Sequence, residues 1–122
     1  MPYVGNANAK GRGVFADKRY RCGDLIETCP VIVLAPSDYE CLHENGLYGY
    51  VFGWGENQCA LALGYGSLYN HSYRPNARYE NLSEEEAIQY VAIRTIAKGE
   101  EICVNYNGDP EDRSPLWFDV VE

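Results

Sequence analysis

Short apolar runs alternate along this chain with glycine, asparagine and charged residues. The clearest runs lie at 14–16, 25–34, 47–52, 59–63, 88–94 and 101–106. Runs of this length, rich in Val, Ile and aromatic residues, are typical of strands, and the residues between them favour turns. The pattern therefore predicts a mainly β domain made of many short strands.

Two prolines modify this picture. Pro30 divides the run at 25–34 and indicates a break in the strand or a position at a sheet edge. Pro36 opens a polar stretch in which Ser37 and Glu40 have the spacing of a capping box, a pair of side chains that caps the start of a helix. We expect a short helix there.

One segment does not follow the strand pattern. Residues 69–76 read Tyr-Asn-His-Ser-Tyr-Arg-Pro-Asn, and short polar side chains of this kind favour an irregular, specifically shaped loop. Residues 101–106 read as a strand that ends in Tyr106 and is followed by an Asn-Gly turn signal. We expect these two segments to meet and to form one site.

The length and the cysteine content limit the class of protein. The chain has 122 residues, of which 46% are hydrophobic, enough for the core of one domain spanning 1–122. Its five cysteines include no C-x-x-C pair, which argues against a disulfide framework and a structural zinc site and fits a reducing, cytoplasmic setting. No run approaches the roughly 20 apolar residues that span a bilayer, and the first residues lack the pattern of a signal peptide. We expect an intracellular protein with no membrane partner.

Acidic residues outnumber basic ones. Lys and Arg total 10 and Asp and Glu total 18, so the net charge is 10 − 18 = −8. Such a chain is poorly suited to direct nucleic-acid binding, and its field favours a basic partner such as a lysine-rich peptide. An acidic surface that only keeps the protein soluble is the alternative. The 11 tyrosines suit binding surfaces and channels as well as cores.

Few catalytic motifs fit the chain. The two histidines, His43 and His71, have no neighbouring ligand set in the sequence, so no metal site is expected. The sequence contains neither G-x-S-x-G nor a phosphate-binding P-loop. Gly11-Arg12-Gly13 by itself indicates a tight turn. Catalysis that relies on binding, orientation and a tyrosine hydroxyl remains open.

Three segments, in this order, carry a resemblance to a known family. They are Gly11-Arg12-Gly13-Val14-Phe15-Ala16, Asn70-His71-Ser72-Tyr73-Arg74-Pro75-Asn76 and Gly99-Glu100-Glu101-Ile102-Cys103-Val104-Asn105-Tyr106. Together they resemble the ordered motifs of SET-domain protein lysine methyltransferases, and the match extends from about residue 11 to residue 107. In its brevity the chain is most similar to the small viral single-domain SET histone methyltransferases.

The resemblance implies a fold and a reaction. The SET, or β-clip, fold has small curved antiparallel sheets, few short helices and a C-terminal pseudoknot formed by the second and third segments. The reaction is methyl transfer from S-adenosyl-L-methionine to the side-chain amine of a lysine in a histone or another basic protein. The expected core is about 11–107, with 108–122 as a lid or tail. The viral relatives further imply a homodimer, and a location in the host nucleus if the chain is viral.

The resemblance also implies roles for individual residues. Tyr106 matches the catalytic tyrosine. The lysine channel is expected to include Tyr50, Tyr79 and Val104, where Tyr79 narrows the far end and Val104 replaces a larger residue that limits methylation in some relatives. The expected cofactor site consists of Arg12, Gly13, Asn70, His71, Tyr106, Trp117 and Phe118, with the last two in the place of the lid.

Methyl transfer suits these residue types. Displacement at a sulfonium depends above all on alignment, which is worth about 7–11 kcal/mol. The lysine amine, with a pKa of about 10.4 in water, must lose its proton, and an apolar channel beside a sulfonium disfavours the ammonium. Tyr106 is then expected to orient the amine while it stays neutral, and not to act as a strong base.

The sequence departs from the family pattern at two places. Tyr73 stands where many relatives have cysteine, and the flanking zinc-binding cysteines are missing, so a lid cannot rest on zinc here. Asn105 replaces a frequent aspartate.

Simpler interpretations of single residues stay open. Asn70 and Asn76 can cap a loop, His71 can be a structural hydrogen-bonding group, and Tyr50 and Tyr79 can be half-buried strand residues. The tail aromatics can cap the core instead of a site. For the whole chain, the alternative is a catalytically weak SET-fold binding module for basic peptides.

Overall fold

A computed structural model gives the fold of residues 1–122, and it describes all of them except the side chains of Tyr39, Glu40 and His43. The strands are β1 (Tyr3–Asn6), β2 (Arg12–Phe15), β3 (Leu25–Leu34), β4 (Val51–Trp54), β5 (Gln58–Ala62), β6 (Asn70–His71), β7 (Ala77–Leu82), β8 (Ala87–Ala92) and β9 (Glu101–Val104). The helix α1 spans Tyr39–Asn45, and short 3-10 turns lie at Asn8–Lys10, Pro36–Asp38, Tyr48–Tyr50 and Gly66–Leu68. The expected mainly β class is confirmed.

The strands form two sheets. The small sheet has the order β1-β2-β9-β6, in which β1, β2 and β9 pair antiparallel and β6 runs parallel to β9. The large sheet has the order β4-β5-β3-β8-β7 and is antiparallel throughout. Strands β7 and β8 form a hairpin, in which Ala77 lies opposite Ala92 and Leu82 opposite Ala87.

Pro30 marks a change of partner within one continuous strand. Before it, β3 pairs with β8, and the last pair joins Pro30 to Ala87. From Val31 onwards the partner is β5, beginning with Ala62. A proline lacks the N–H that a continuous ladder on one partner would need, so it fits at this changeover. The predicted break at Pro30 is therefore a change of pairing partner, and the strand itself continues through the proline.

Two local predictions were wrong. Only the last two residues of the run at 47–52 belong to a strand, β4. Before them, Tyr48–Tyr50 forms a 3-10 turn in which the Tyr50 N–H donates to the Leu47 carbonyl at 2.9 Å. Its large side chains are exposed and lack the buried alternate face of a strand. The residue at the N-cap position of the helix is Asp38, not Ser37. Its carboxylate makes no capping hydrogen bond and instead accepts the Ala35 N–H at 3.1 Å. The side chain of Glu40 lies outside the described residues.

The core lies between the two sheets. The small sheet contributes Val14, Ile102 and Val104, and the large sheet contributes Cys29, Ala60, Ile88 and Tyr90. Burial of such side chains stabilises the fold by roughly 1.5–3 kcal/mol each. This shared core fixes the small sheet, and with it the end of β9, relative to the large sheet.

The segments at 69–76 and 101–106 meet, as the sequence predicts. Asn70 and His71 of β6 pair with Cys103 and Val104 of β9. Beyond β6, Asn76 bonds to β9 through its side chain, which accepts the Cys103 N–H at 2.9 Å and donates to the Glu101 carbonyl at 2.7 Å. The loop is therefore tied to β9 at both of its ends. The pseudoknot crossing implied by the resemblance stays a prediction.

Three further findings concern the described residues. None of the described helices has the length and apolar composition needed to cross a membrane. Among the described side chains, no group of three or more His, Cys, Asp or Glu is arranged to hold a metal ion. All five cysteines are free, and Cys29, Cys59 and Cys103 are buried.

Candidate active site

Tyr106 borders more than one cavity. It follows β9 at the point where the chain leaves the small sheet, and the buried Asn105 fixes this exit by donating to the Asp112 carbonyl at 2.6 Å. Two of the cavities that border the tyrosine have volumes of about 230 Å³ and about 200 Å³. Both are lined by Tyr106. The tyrosine is therefore their common wall.

The first cavity, called the aromatic cavity here, is walled largely by rings. Its aromatic lining consists of Tyr50, Phe52, Tyr69, Tyr79, Tyr106 and Trp117. Phe52 meets Tyr79 edge to face, with ring centroids 5.1 Å apart. The Tyr79 hydroxyl donates to the Tyr106 carbonyl at 3.4 Å. Such walls suit an aliphatic chain that ends in an amine.

The second cavity, called the tail cavity here, is bounded by both ends of the chain. It is lined by Ala9, Lys10, Asn70, His71, Tyr106 and residues 118–121. Lys10 donates from Nζ to the His71 carbonyl at 3.1 Å. The cavity thus combines backbone polar groups, an amide, an imidazole and the Phe118 ring.

The Tyr106 hydroxyl is held by a single backbone acceptor. It donates to the Tyr69 carbonyl at 2.7 Å, and its ring stacks on Trp117 with a centroid distance of 6.1 Å and an interplanar angle of 15°. Burial, and after it the nearby Cys103, raises the pKa of Tyr106 well above 10.0. The hydroxyl therefore stays neutral near pH 7, and because its proton is used on Tyr69, its lone pairs are free to accept.

His71 holds Tyr106 from the other side. Its Nδ1 accepts the backbone N–H of Tyr106 at 2.9 Å, which leaves the proton of the neutral ring on Nε2. The residue is only 4% exposed, and desolvation lowers its pKa below 6.5. Nε2 is buried and has no hydrogen-bond partner among the described residues. The ring is structural toward Tyr106 and has one donor left unused.

Asn70 and Gly13 bring β2 and β6 into close contact. The Asn70 amide donates to the Arg12 carbonyl at 2.9 Å and to Glu101 Oε2 at 2.8 Å. A Cβ on Gly13 would lie 2.5 Å from Glu101 Oε2 and 2.9 Å from Asn70 Nδ2. A side chain does not fit there, so the sequence requires glycine at this position because of the close approach.

The structure brings most of the predicted site residues together in two groups. Tyr50, Tyr79, Tyr106 and Trp117 line the aromatic cavity, while Asn70, His71, Tyr106 and Phe118 line the tail cavity. Arg12 is exposed and contributes its carbonyl, to Asn70. Val104 does not line the aromatic cavity, since it is 1% exposed within the core between the sheets.

Hydrogen bonds fasten the tail that follows Tyr106. Asn107 and Tyr73 both donate to the Ser114 carbonyl, each at 2.9 Å. Farther along, the Glu122 carboxylate accepts the Ser72 hydroxyl at 2.6 Å and the Tyr73 N–H at 3.1 Å. These bonds hold the tail over the loop that follows β6, so Trp117 and Phe118 lie against Tyr106.

Sequence reasoning missed three contributors. Glu27 is buried in β3 beside Tyr69, and the signal for it was a lone acidic residue within the apolar run at 25–34. Lys10 precedes the first motif in a polar lead-in and gave no signal. Glu122 gave none either, because its contact with Ser72 spans 50 residues of sequence.

Comparisons with known proteins show the family of this chain. The model of the SET domain family matches residues 11–107. A Schizosaccharomyces pombe histone-lysine N-methyltransferase specific for lysine 37 of histone H3 is 34% identical over 120 residues, which cover 95% of this chain and 76% of the relative.

Solved structures match as well. A Plasmodium falciparum protein designated a histone methyltransferase is 32% identical with a TM-score of 0.69, and the match covers 86% of this chain and 91% of that one. The Polycomb Repressive Complex 2 of Chaetomium thermophilum, bound to H3K27me3 and H3K27M, has a TM-score of 0.75 at 20% identity over 87% of this chain and 14% of its own, which shows the shared fold. The chain belongs to the SET-domain family of protein lysine methyltransferases.

Proposed function

We propose that this protein transfers a methyl group from S-adenosyl-L-methionine to the side-chain amine of a lysine in a histone or another basic protein. The observation that carries the proposal is the position of Tyr106 as the common wall of two cavities. A lysine side chain would enter the aromatic cavity, and the methyl donor would occupy the tail cavity. The two reactants would then meet at the Tyr106 hydroxyl.

The residues of the tail cavity suit the methyl donor. When bound, S-adenosyl-L-methionine supplies a methyl group on a positively charged sulfonium. The buried Nε2–H of His71 lacks a partner, the side chain of Asn70 borders the cavity, and the Phe118 ring offers an aromatic face. A Cβ on Gly13 would collide with the Asn70 side chain. The backbone of β2 therefore lies close against the amide that borders the tail cavity.

Residues 118–121 must shift for the donor to fit. The tail cavity has about 200 Å³, which is below the roughly 300–1,000 Å³ of typical ligand sites. Its other walls belong to the 3-10 turn Asn8–Lys10, to β6 and to Tyr106 just after β9, whereas the tail is held by a few hydrogen bonds. The tail is therefore the wall that yields, which gives Trp117 and Phe118 the position of a lid.

Tyr106 would orient the lysine amine. Its hydroxyl is neutral and donates to Tyr69, so a lone pair is available to the amine. The aromatic walls disfavour the ammonium relative to the neutral amine, because burial in an apolar site lowers the pKa of an amine. Orientation of this kind is worth several powers of ten in rate.

The charge of the chain supports a basic acceptor. A net charge of −8 attracts lysine-rich segments over long range. The Schizosaccharomyces pombe relative is named a histone-lysine N-methyltransferase. Because the two chains belong to one family, this name supports a histone as the acceptor here. We further propose a homodimer and an intracellular location, the latter because all five cysteines are free thiols.

Transfer of radiolabel from S-adenosyl-L-methionine to core histones tests the proposal. We expect labelled histone, and mass spectrometry should place the methyl group on a lysine. Calorimetry of the cofactor alone runs beside it. Cofactor binding without any transfer to histones or to proteins of a cell lysate would favour the binding module, and the lack of both would contradict the proposal.

A further inference from the structure

Glu27 is a buried carboxylate in the middle of β3. It is 7% exposed, and its two oxygens have separate partners. Oε1 accepts the Tyr69 hydroxyl at 2.7 Å, and Oε2 accepts the backbone N–H of Tyr65 at 3.1 Å. Both partners belong to residues 64–69, the segment that leads from β5 to β6. One side chain therefore holds both ends of this segment.

The segment is moulded closely around the carboxylate. Gly64 has a φ of +61°, and a Cβ there would collide with Glu27 Oε2. A Cβ on Gly66 would lie 2.6 Å from Ala62 Cβ and 3.1 Å from Cys29 Sγ. Glycine is required at both positions, since the backbone turns left-handed at the first and passes too close to neighbours at the second.

Among the described side chains, none with a positive charge forms an ion pair with Glu27. The ion pairs among the described side chains are Met1–Asp17, Arg78–Glu80 and Arg94–Glu100, and Glu27 takes part in none of them. The neighbouring thiol stays protonated, because burial, and after it Glu27, raises the pKa of Cys29 to about 12. A buried carboxylate held only by hydrogen bonds is costly, and a hydrophobic residue of similar size would pack more cheaply.

The same segment carries the acceptor of Tyr106. Tyr69 donates its hydroxyl to Glu27, and its carbonyl accepts the hydroxyl of Tyr106 at 2.7 Å. The Tyr69 ring stacks on Tyr90 at a centroid distance of 4.2 Å, and the Tyr90 hydroxyl donates to the Gly66 carbonyl at 2.7 Å. Rotation of the Tyr69 peptide would therefore break contacts on both sides of its ring.

We infer that Glu27 is the positioning residue for Tyr106. By holding the Tyr69 hydroxyl and the Tyr65 N–H, it fixes the direction of the Tyr69 carbonyl, and this carbonyl sets the direction of the Tyr106 hydroxyl. The inference rests on the proposed function as far as rate is concerned, because Tyr106 acts on the lysine amine there. The geometric link between Glu27 and Tyr106 is independent of any activity.

Glu27→Gln tests the inference with little change in shape. The amide oxygen can still accept the Tyr65 N–H, but the amide nitrogen then faces Tyr69 and cannot accept its proton, so the charged acceptor that fixes the Tyr69 hydroxyl is lost. We expect kcat to fall about 10–100-fold while KM for the peptide changes less than about twofold, because loss of alignment affects the reacting groups and not the channel walls. The control is Glu85→Gln, the same chemical change at an exposed glutamate, which should leave both constants unchanged.

A double-variant cycle separates positioning from general loosening. Tyr69→Phe removes only the hydroxyl that Glu27 accepts. If Glu27 acts through that hydroxyl, kcat of the Glu27→Gln, Tyr69→Phe double variant should lie within about twofold of the slower single variant. Losses in kcat that multiply would show two independent effects and would overturn the inference.

Fluorine NMR gives a reading that needs no turnover. With 3-fluorotyrosine incorporated, the Tyr106 resonance is assigned by its loss in Tyr106→Phe. Glu27→Gln should shift that resonance and Glu85→Gln should not. An unshifted resonance together with a kcat within twofold of the unmodified protein would overturn the inference. If Glu27→Gln does not fold, the same two readings on Tyr69→Phe decide.

The two failures can be told apart. An unmodified protein that transfers no methyl group contradicts the proposed function, while the fluorine spectrum still decides whether Glu27 sets the position of Tyr106.

Discussion

At the scale of single residues, Tyr106 is held at both ends. Its backbone N–H donates to His71 Nδ1 at 2.9 Å, and its hydroxyl donates to the Tyr69 carbonyl at 2.7 Å. Both partners come from the chain around β6, which itself pairs with β9. Tyr106 is therefore restrained at its backbone and at its hydroxyl, and His71 supplies one of these two restraints.

His71 should titrate at an unusually low pH. Burial disfavours the charged ring, so its pKa lies below 6.5. As the pH falls below 6.5, the unfolded chain takes up a proton that the folded chain refuses, and the free energy of unfolding decreases. Proton NMR should give a midpoint below 6.5 for the resonance that is lost in His71→Asn, a variant whose amide oxygen can take the place of Nδ1.

The same variant serves as the control for stability. Urea unfolding at several pH values should show that His71→Asn loses less stability between pH 7 and pH 5 than the unmodified protein does. A midpoint at or above 6.5, or equal pH dependence in the two proteins, would contradict the buried, neutral imidazole.

At the scale of elements, the sequence predicted the strands better than their ends. The run at 88–94, which overlaps β8, and the meeting of β6 with β9 were predicted, because short apolar runs and the motifs carry that information. The 3-10 turn at Tyr48–Tyr50 was missed, because aromatic residues have strand propensity whether or not a sheet is there to receive them. The contact between Glu122 and Ser72 depends on long-range packing that no local pattern encodes.

The Glu122 contact should control how tightly the tail is fastened. Burial alone would raise the pKa of Glu122, but the hydrogen bonds from Ser72 and Tyr73, with Lys10 and His71 nearby, outweigh it and lower the pKa below 4.5. Glu122→Gln weakens these bonds. Amide hydrogen exchange in residues 115–122 should become about 2–5-fold faster at pH 7, since an exposed charged hydrogen bond contributes up to about 1 kcal/mol.

The pH dependence of that difference has a definite sign. The contact is fully present above pH 4.5 and is lost as the pH falls through the folded-state pKa of Glu122. The ratio of exchange rates between Glu122→Gln and the unmodified protein should therefore fall toward one in acid. Glu111→Gln, at an exposed tail residue, is the matched control. Equal exchange at pH 7 in all three proteins would show that Glu122 does not fasten the tail.

At the scale of the whole molecule, the chain is acidic while its aromatic cavity has no charged side chain in its lining. The net charge is −8, while the aromatic cavity is walled by tyrosine, phenylalanine and tryptophan rings. The field of the whole protein then acts on the approach of a basic partner, whereas the side chains that wall the aromatic cavity carry no charge.

Salt should therefore separate binding from chemistry. Raising the ionic strength from about 50 to about 300 mM shortens the Debye length and weakens long-range attraction. We expect KM for a lysine-rich histone peptide to rise several-fold while kcat stays within about twofold. A fall in kcat with constant KM would show that charge acts within the site and not on approach.

The most direct measurement compares single-turnover methyl transfer by the unmodified protein and by Tyr106→Phe. Tyr3→Phe, at an exposed tyrosine near the start of the chain and remote in sequence from Tyr106, is the control. Calorimetry first establishes that all three proteins bind S-adenosyl-L-methionine. Because Tyr106 is the common wall of the two cavities, the transfer rate should fall about 100-fold or more in Tyr106→Phe and stay unchanged in Tyr3→Phe. Undiminished transfer by Tyr106→Phe would contradict the role of this hydroxyl.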